Sequence, residues 1–169
     1  MREIVEKHNI YTFDELDESV QKKLIDVEIE SNVEFYCQAF LFEDMREKAI
    51  ELLKKNFKDA AKYENLYYSL SYCQGDGAVI EFYLTYNGKE LEIKHNGGHY
   101  CHSRSFLING EISEKQEKEL FEKIAAINEE LESEGYKYID AARNEADARE
   151  NLASWEYYSS GKRFDGLEV

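Results

Sequence analysis

The densest run of residues able to move protons is KHNGGHYCHSRS at 94–105, which holds three of the four histidines, His95, His99 and His102, with Arg104 beside them. Two imidazoles and a guanidinium are enough to cleave RNA without a metal ion. One imidazole takes the 2′-OH proton, the second protonates the leaving oxygen, and the arginine steadies the charge that builds on the phosphorane. His95, His102 and Arg104 are therefore the candidate catalytic residues. The same run could offer nitrogen, sulfur and oxygen donors to a metal if Cys101 or Asp76 joined the histidines. Strand alternation, however, sends His99 and Cys101 to the face opposite His102, so a shared site would require irregular backbone, and no metal or organic cofactor is expected. The plainer alternative is that these are hydrogen-bonded histidines on a strand partly covered by a helix.

A second polar motif, QGDG at 74–77, invites comparison with loops that cradle phosphate. It lacks the Lys and Ser/Thr of a P-loop and runs into a strand instead of a helix. The spacing reads as a tight turn in which Gly75 and Gly77 supply unusual φ and Asp76 bonds neighbouring amides, with ligand binding by Asp76 as the alternative. Tyr63, Tyr67, Tyr68 and Tyr72 could stack bases, Tyr72 being the binding candidate among them, yet a single-strand groove also needs a positive track for the phosphates. Sheet packing is the competing use of these rings.

Acid is the third signal. Residues 14–34 contain eight carboxylates against Lys22 and Lys23, and residues 111–134 contain nine against Lys115, Lys118 and Lys123. Such a surface repels nucleic acid and attracts proteins whose grooves bind it. Glu117, Glu119 and Glu122 are the binding candidates of the second stretch, and a solvated helix face is the alternative.

The elements that must position these residues are legible from periodicity. Thr12 and Glu15 fit a reciprocal capping box, and Leu16, Val20, Leu24 and Val27 follow as one apolar stripe. Asn32 is a candidate cap for a second helix, whose apolar face runs from Phe35 through Ala39, Phe42, Ala49, Leu52 and Leu53 to Asn56, with a break near Glu43 and Asp44. From Leu66 the period becomes two: LYYSLSYC, AVIEFYLTY, KELEIKH and HYCHSRSFLI, separated by QGDG, NG and NGG, predict a four-stranded antiparallel meander over 66–108. A two-residue turn at Asn87-Gly88 pairs Tyr86 with Lys89, Leu84 with Leu91, Phe82 with Ile93 and Ile80 with His95. On the other face it pairs Thr85 with Glu90, Tyr83 with Glu92 and Glu81 with Lys94. A further two-residue turn through Asn96-Gly97 or Gly97-Gly98 keeps parity and puts Tyr100, His102 and Arg104 on the inward face with His95, whereas a three-residue turn would reverse this. Ser113 and Gln116 form another capping box; Leu120, Phe121, Ile124, Ile127 and Leu131 make the stripe of the next helix, and Gly135 is its expected stop. A last helix is expected from Ile139 to about Trp155, then a small hairpin at YYSSGKRFDG. The fold class expected is α+β, an antiparallel meander flanked by N-terminal helices within 12–56 and C-terminal helices within 113–169, in one domain spanning 1–169.

Composition narrows the function. The 169 residues carry 21 Lys and Arg against 36 Asp and Glu, a formal charge of −15, which excludes a basic nucleic-acid-binding domain. With 13 Tyr, 9 Phe and 1 Trp the chain is too aromatic for a disordered acidic segment. Average usage would give roughly eight prolines, and there are none, so a proline-rich linker has no support. No apolar run approaches the roughly 20 residues of a membrane span and no signal-peptide core is evident, so a cytoplasmic protein with no membrane partner is expected. Cys37, Cys73 and Cys101 are odd in number and form no CxxC pair, which predicts reduced thiols.

YTFDELDESVQKKLID, SYCQGDGAVIEF and the terminal YYSSGKRFDG together resemble a set of small phage and prophage accessory proteins that begin YTFDEL, carry a QGDG segment and end in a short hairpin. That resemblance spans most of the chain. It implies an origin in a phage or mobile element and an anti-defence or antitoxin-like role, and it carries over no catalytic residues. Taken with the acidity, the expectation is an inhibitor of a host defence system, an anti-CRISPR protein acting on a Cas effector whose nucleic-acid channel is basic. A metal-independent ribonuclease cutting a partner-bound RNA and an antitoxin-like module neutralising a basic toxin are the alternatives. The expected partner is thus a basic nucleic-acid-handling host protein, with RNA reached only through it and free DNA not bound.

Overall fold

In the computed structural model, which describes residues 8–98 and 100–165, the expected α+β architecture is present. Strand β1 (Tyr11–Thr12) leads into helices α1 (Glu18–Ala39) and α2 (Leu41–Phe57). Strands β2 (Ala61–Ser69), β3 (Gly77–Tyr86), β4 (Lys89–His95) and β5 (Phe106–Asn109) follow, then helices α3 (Glu114–Ala142) and α4 (Glu145–Ala153) and strand β6 (Glu156–Tyr157). Strands β2-β3-β4-β5 form one antiparallel sheet in that order. The contacts of the described residues group into two compact units: Ala39–Ile139, and 8–38 together with 140–165.

In the first unit the Asn87-Gly88 turn sets the register. Both residues take positive φ, 51° and 78°, as a type I′ turn demands, and the pairs from Tyr86↔Lys89 to Phe82↔Ile93 follow. Phe82, Leu84, Leu91 and Ile93 are each no more than 1% exposed. Helix α3 begins at the expected capping box: the Ser113 amide and hydroxyl donate to Gln116 Oε1 at 3.2 and 2.8 Å. Its stripe Leu120, Ile124, Ile127 and Leu131 is buried, and Phe121 stacks on Phe106 of β5 with centroids 4.4 Å apart.

The sheet departs from the expected pattern at one place, and the site depends on it. The β3–β4 ladder ends at Phe82↔Ile93. Beyond it Ile80 does not pair with His95, nor Glu81 with Lys94. The freed backbone donors find side chains instead: Glu81 Oε1 accepts the His95 amide at 3.0 Å, and Asn128 Oδ1, from α3, accepts the Ile80 amide at 3.2 Å. The predicted fourth strand therefore shrinks to Phe106–Asn109; residues 96–98 and 100–105 before it carry no strand, and Asn96 N–H donates to the Ser105 carbonyl at 3.0 Å. At the other edge β2 starts at Ala61, five residues before the expected Leu66, and is bulged between Tyr63 and Asn65.

Gly135 does not stop α3. It lies buried within the helix, where a Cβ would come 2.5 Å from Leu70 Cδ1 and 2.6 Å from Met45 Sδ, so it serves close packing. Asn32 likewise caps nothing: α1 runs through it, and the break before α2 falls at Phe40 instead of Glu43 and Asp44.

The second unit is organised by a small core of Phe13, Leu16, Ile25, Leu152 and Tyr157, with Val20, Leu24 and Ile29 packed on it. Val27, expected on that stripe, is 67% exposed and Ile25 takes its place. Glu15 Oε2 accepts from the Thr12 amide and hydroxyl at 2.9 and 3.0 Å, but this box caps a 3₁₀ turn at Phe13–Glu15, and α1 begins only at Glu18. Asn144 caps α4 through the Ala146 and Asp147 amides. The expected C-terminal hairpin is short: β6 pairs with β1, and Tyr158 N–H donates to the Lys162 carbonyl at 2.9 Å. Its predicted last residue, Gly166, lies outside the described residues.

Candidate functional site

Asp76 is the organising group of the QGDG loop. It is 8% exposed, and its carboxylate accepts from Ser69 Oγ (3.0 Å), the Ser71 amide (2.7 Å) and hydroxyl (3.1 Å), the Cys73 amide (3.0 Å) and thiol (3.2 Å), and the Tyr136 hydroxyl of α3. Burial by itself would push this carboxyl up. The bonds from Tyr136, Cys73 and Ser69 overcome that and hold it well below the usual carboxylate range. Conversely, burial and then the bond to Asp76 push the Tyr136 phenol well above its ordinary value. A carboxylate offers about four lone-pair sites, and the donors already converging on Asp76 fill them. Its chemistry is that of a loop clasp, with no open face for a ligand.

The clasp holds Tyr72 at a positive φ of 58°, with its ring 4.7 Å from that of Tyr136 and 59% exposed. Residues 100–102 lie against the same loop. The Cys101 amide donates to the Gly75 carbonyl at 3.3 Å, and the Tyr100 ring lies over Gly75, so close that a Cβ there would meet Tyr100 Cδ1 at 2.5 Å. Gly77 is tighter still: at φ 156° its added Cβ would sit 2.2 Å from the Cys101 carbonyl oxygen and 2.8 Å from His102 Cα. Gly77 thus has the unusual φ expected of it, whereas Gly75 is required by close approach and not by φ. Gly77→Ala should cost about 2–3 kcal/mol, because the methyl meets backbone that cannot swing aside; urea unfolding of the variant measures it.

The histidines do not form the inward-facing strand surface that parity predicted. His95 pairs with Phe106, so no short turn follows it and alternation from His95 does not extend to Tyr100, His102 and Arg104. His95 stacks on Tyr67, centroids 4.9 Å apart and planes at 19°. Its Nδ1 accepts from the Gly97 amide at 3.3 Å, leaving Nε2 to donate to the Tyr100 carbonyl at 3.2 Å. Both nitrogens of that neutral tautomer are engaged, so no lone pair is left to take a 2′-OH proton. His102 is exposed, its ring packed against Tyr100 at 5.6 Å. Arg104 is paired with Glu122, its guanidinium 5.2 Å above the Phe121 ring.

His102, Ser103, Arg104 and Ser105 line an open depression with Asp76, Glu129 and Glu132, so carboxylates surround the one guanidinium. Ser103 Oγ donates to Glu132 at 2.7 Å. Among the described residues no group of three His, Cys, Asp or Glu side chains is arranged to hold a metal ion, and His99 lies outside them. Of the acidic candidates, Glu122 holds Arg104, Glu119 lies 3.9 Å from Lys115, and Glu117 is exposed with no ion pair among the described residues.

Two residues essential to this arrangement went unread in the sequence. Asn128 is fully buried and ties the Ile80 amide to the Ser103 carbonyl, to which its Nδ2 donates at 2.9 Å. The signal was there: one amide interrupts the apolar stripe of α3, and a buried polar group must find partners. Tyr136 sits one residue past Gly135, and nothing local marks it as the donor to Asp76, 60 positions away. No family model matches this chain, and no curated protein or solved structure does either.

Proposed function

We propose that this protein is an inhibitor that binds a basic nucleic-acid-handling protein through its acidic surface, as a phage or mobile element would direct against a host defence effector. A Cas effector has the required partner chemistry, since its guide and target channel is positively charged, and a basic toxin is the second candidate. The observation that carries this reading is the exposed, unmatched acid. Asp26 on α1 and Glu117 and Glu129 on α3 are exposed with no ion pair among the described residues. The engaged nitrogens of His95 and the pairing of Arg104 with Glu122 favour binding over phosphodiester chemistry. No helix among the described residues is long and apolar enough to cross a membrane.

The test is competition and salt. Immobilised protein incubated with nuclease-treated bacterial lysate should retain a basic protein, release it as salt rises above about 0.1 M, where charges are screened over roughly 10 Å, and lose it to added nucleic acid. Glu117→Lys with Glu129→Lys should slow association with that partner more than it speeds dissociation. Affinity that is flat across salt, or a partner that binds its nucleic acid undisturbed, would overturn the reading.

A further inference from the structure

We infer that the recess between the end of α2 and the start of β2 binds a small organic phosphate, a phosphate monoester carried on a flat apolar body; the acidic-surface reading is not needed for it. The recess, about 400 Å³, lies wholly within the unit Ala39–Ile139 and is lined by Lys54, Lys58, Lys62 and Asp59. Its apolar wall is Ile50, Leu53 and Tyr63. That volume falls in the range of small-molecule sites.

Charge sets this recess apart on a chain of formal charge −15. Every described arginine is ion-paired, and the nearby lysines are engaged, Lys55 with Glu130 and Lys123 with the Asn56 carbonyl. Lys54, Lys58 and Lys62 are exposed, with no ion pair or side-chain hydrogen bond among the described residues. A helix C-terminus favours cations, which accounts for Lys54 in the last turn of α2. Lys62 stands on β2, outside that field. Lys58 holds a positive φ of 55° that a glycine would adopt without cost, and no bond of its side chain offsets the strain.

The ligand follows from the sum. Three ammonium groups against the one carboxylate of Asp59 leave a net charge of about +2, the complement of a phosphate monoester, which carries about −1.5 to −2 at neutral pH. The Tyr63 hydroxyl, which has no hydrogen-bond partner among the described residues, is a further donor. Ile50, 38% exposed, and the Tyr63 ring offer a flat body its contact surface, over the buried Leu53. A nucleic-acid strand fits less well, because phosphates beyond the recess would meet the acid of the remaining surface.

Adenosine 5′-monophosphate titrated into the full chain at low salt, with adenosine and inorganic phosphate as its two halves, tests this by calorimetry. The monophosphate should bind about tenfold more tightly than either half, since only it uses both the ammonium groups and the apolar wall. Amide resonances of Lys58, Lys62 and Tyr63 should move most on its addition. Lys58→Gly should weaken it by about tenfold while melting no lower than wild type, because glycine relieves the positive φ. Lys62→Gln should weaken it similarly, whereas Lys137→Gln, which removes a positive charge outside the recess, should leave it within about twofold. Monophosphate affinity no greater than that of adenosine or of phosphate, or affinity that survives both recess variants, would overturn the proposal and leave the acidic-surface reading untouched.

Discussion

Asp76→Ala should destabilise the unit Ala39–Ile139 by about 2–4 kcal/mol, because it removes the one acceptor on which several partly buried donors converge. The Ser71 and Cys73 amides and the Tyr136 hydroxyl all lose their acceptor at once. The pH dependence has a definite sign. The folded-state carboxyl titrates below its ordinary value of 3.8, so as pH falls the unfolded chain takes the proton first. Its contribution is complete above about pH 5 and drains away as acid approaches the folded-state value. Urea unfolding at neutral pH and near pH 3 should show wild type losing stability over that limb, and Asp76→Asn losing less. Asparagine keeps the shape but turns one acceptor into a donor facing donors, so it should already be weaker at neutral pH. An Asp76→Ala protein as stable as wild type would mean that the clasp contributes nothing to the fold.

Phe82→Ala should cost about 3–5 kcal/mol. The side chain is 1% exposed and packs against Phe57 with centroids 5.7 Å apart. It also stands at the last β3–β4 ladder pair. A cavity there should loosen the site as well as the core. Hydrogen exchange of the Ile80 and His95 amides, held by Asn128 and Glu81, should therefore quicken by more than that of Leu84 or Leu91. The neighbouring Tyr83, 41% exposed on the other face, is the control: its truncation should cost less than about 1 kcal/mol.

The sequence by itself determined what depends on neighbours along the chain. Asn87-Gly88 specified a turn with positive φ at both positions, the turn specified the strand register, and alternation then specified which side chains are buried. Ser113 and Gln116 marked the start of α3 for the same reason, since a cap is satisfied within four residues. Net charge was equally legible, being a sum over residue types. Partners far apart in the chain were decided only by the tertiary structure. Alternation carried His95, His102 and Arg104 to one face on the assumption that the ladder continued past Ile93. It ends there because Asn128, 48 positions from Ile80, and Glu81 satisfy the backbone groups that a longer ladder would have paired. Gly135 read as a helix stop because glycine is a poor helix former, yet the packing of Met45 and Leu70 against its missing Cβ keeps it inside the helix. Asp76 was read as a turn residue bonding nearby amides, and it does so. That α3 would add the Tyr136 hydroxyl and join the loop to the helix behind it was fixed by packing, which no local period of the sequence encodes.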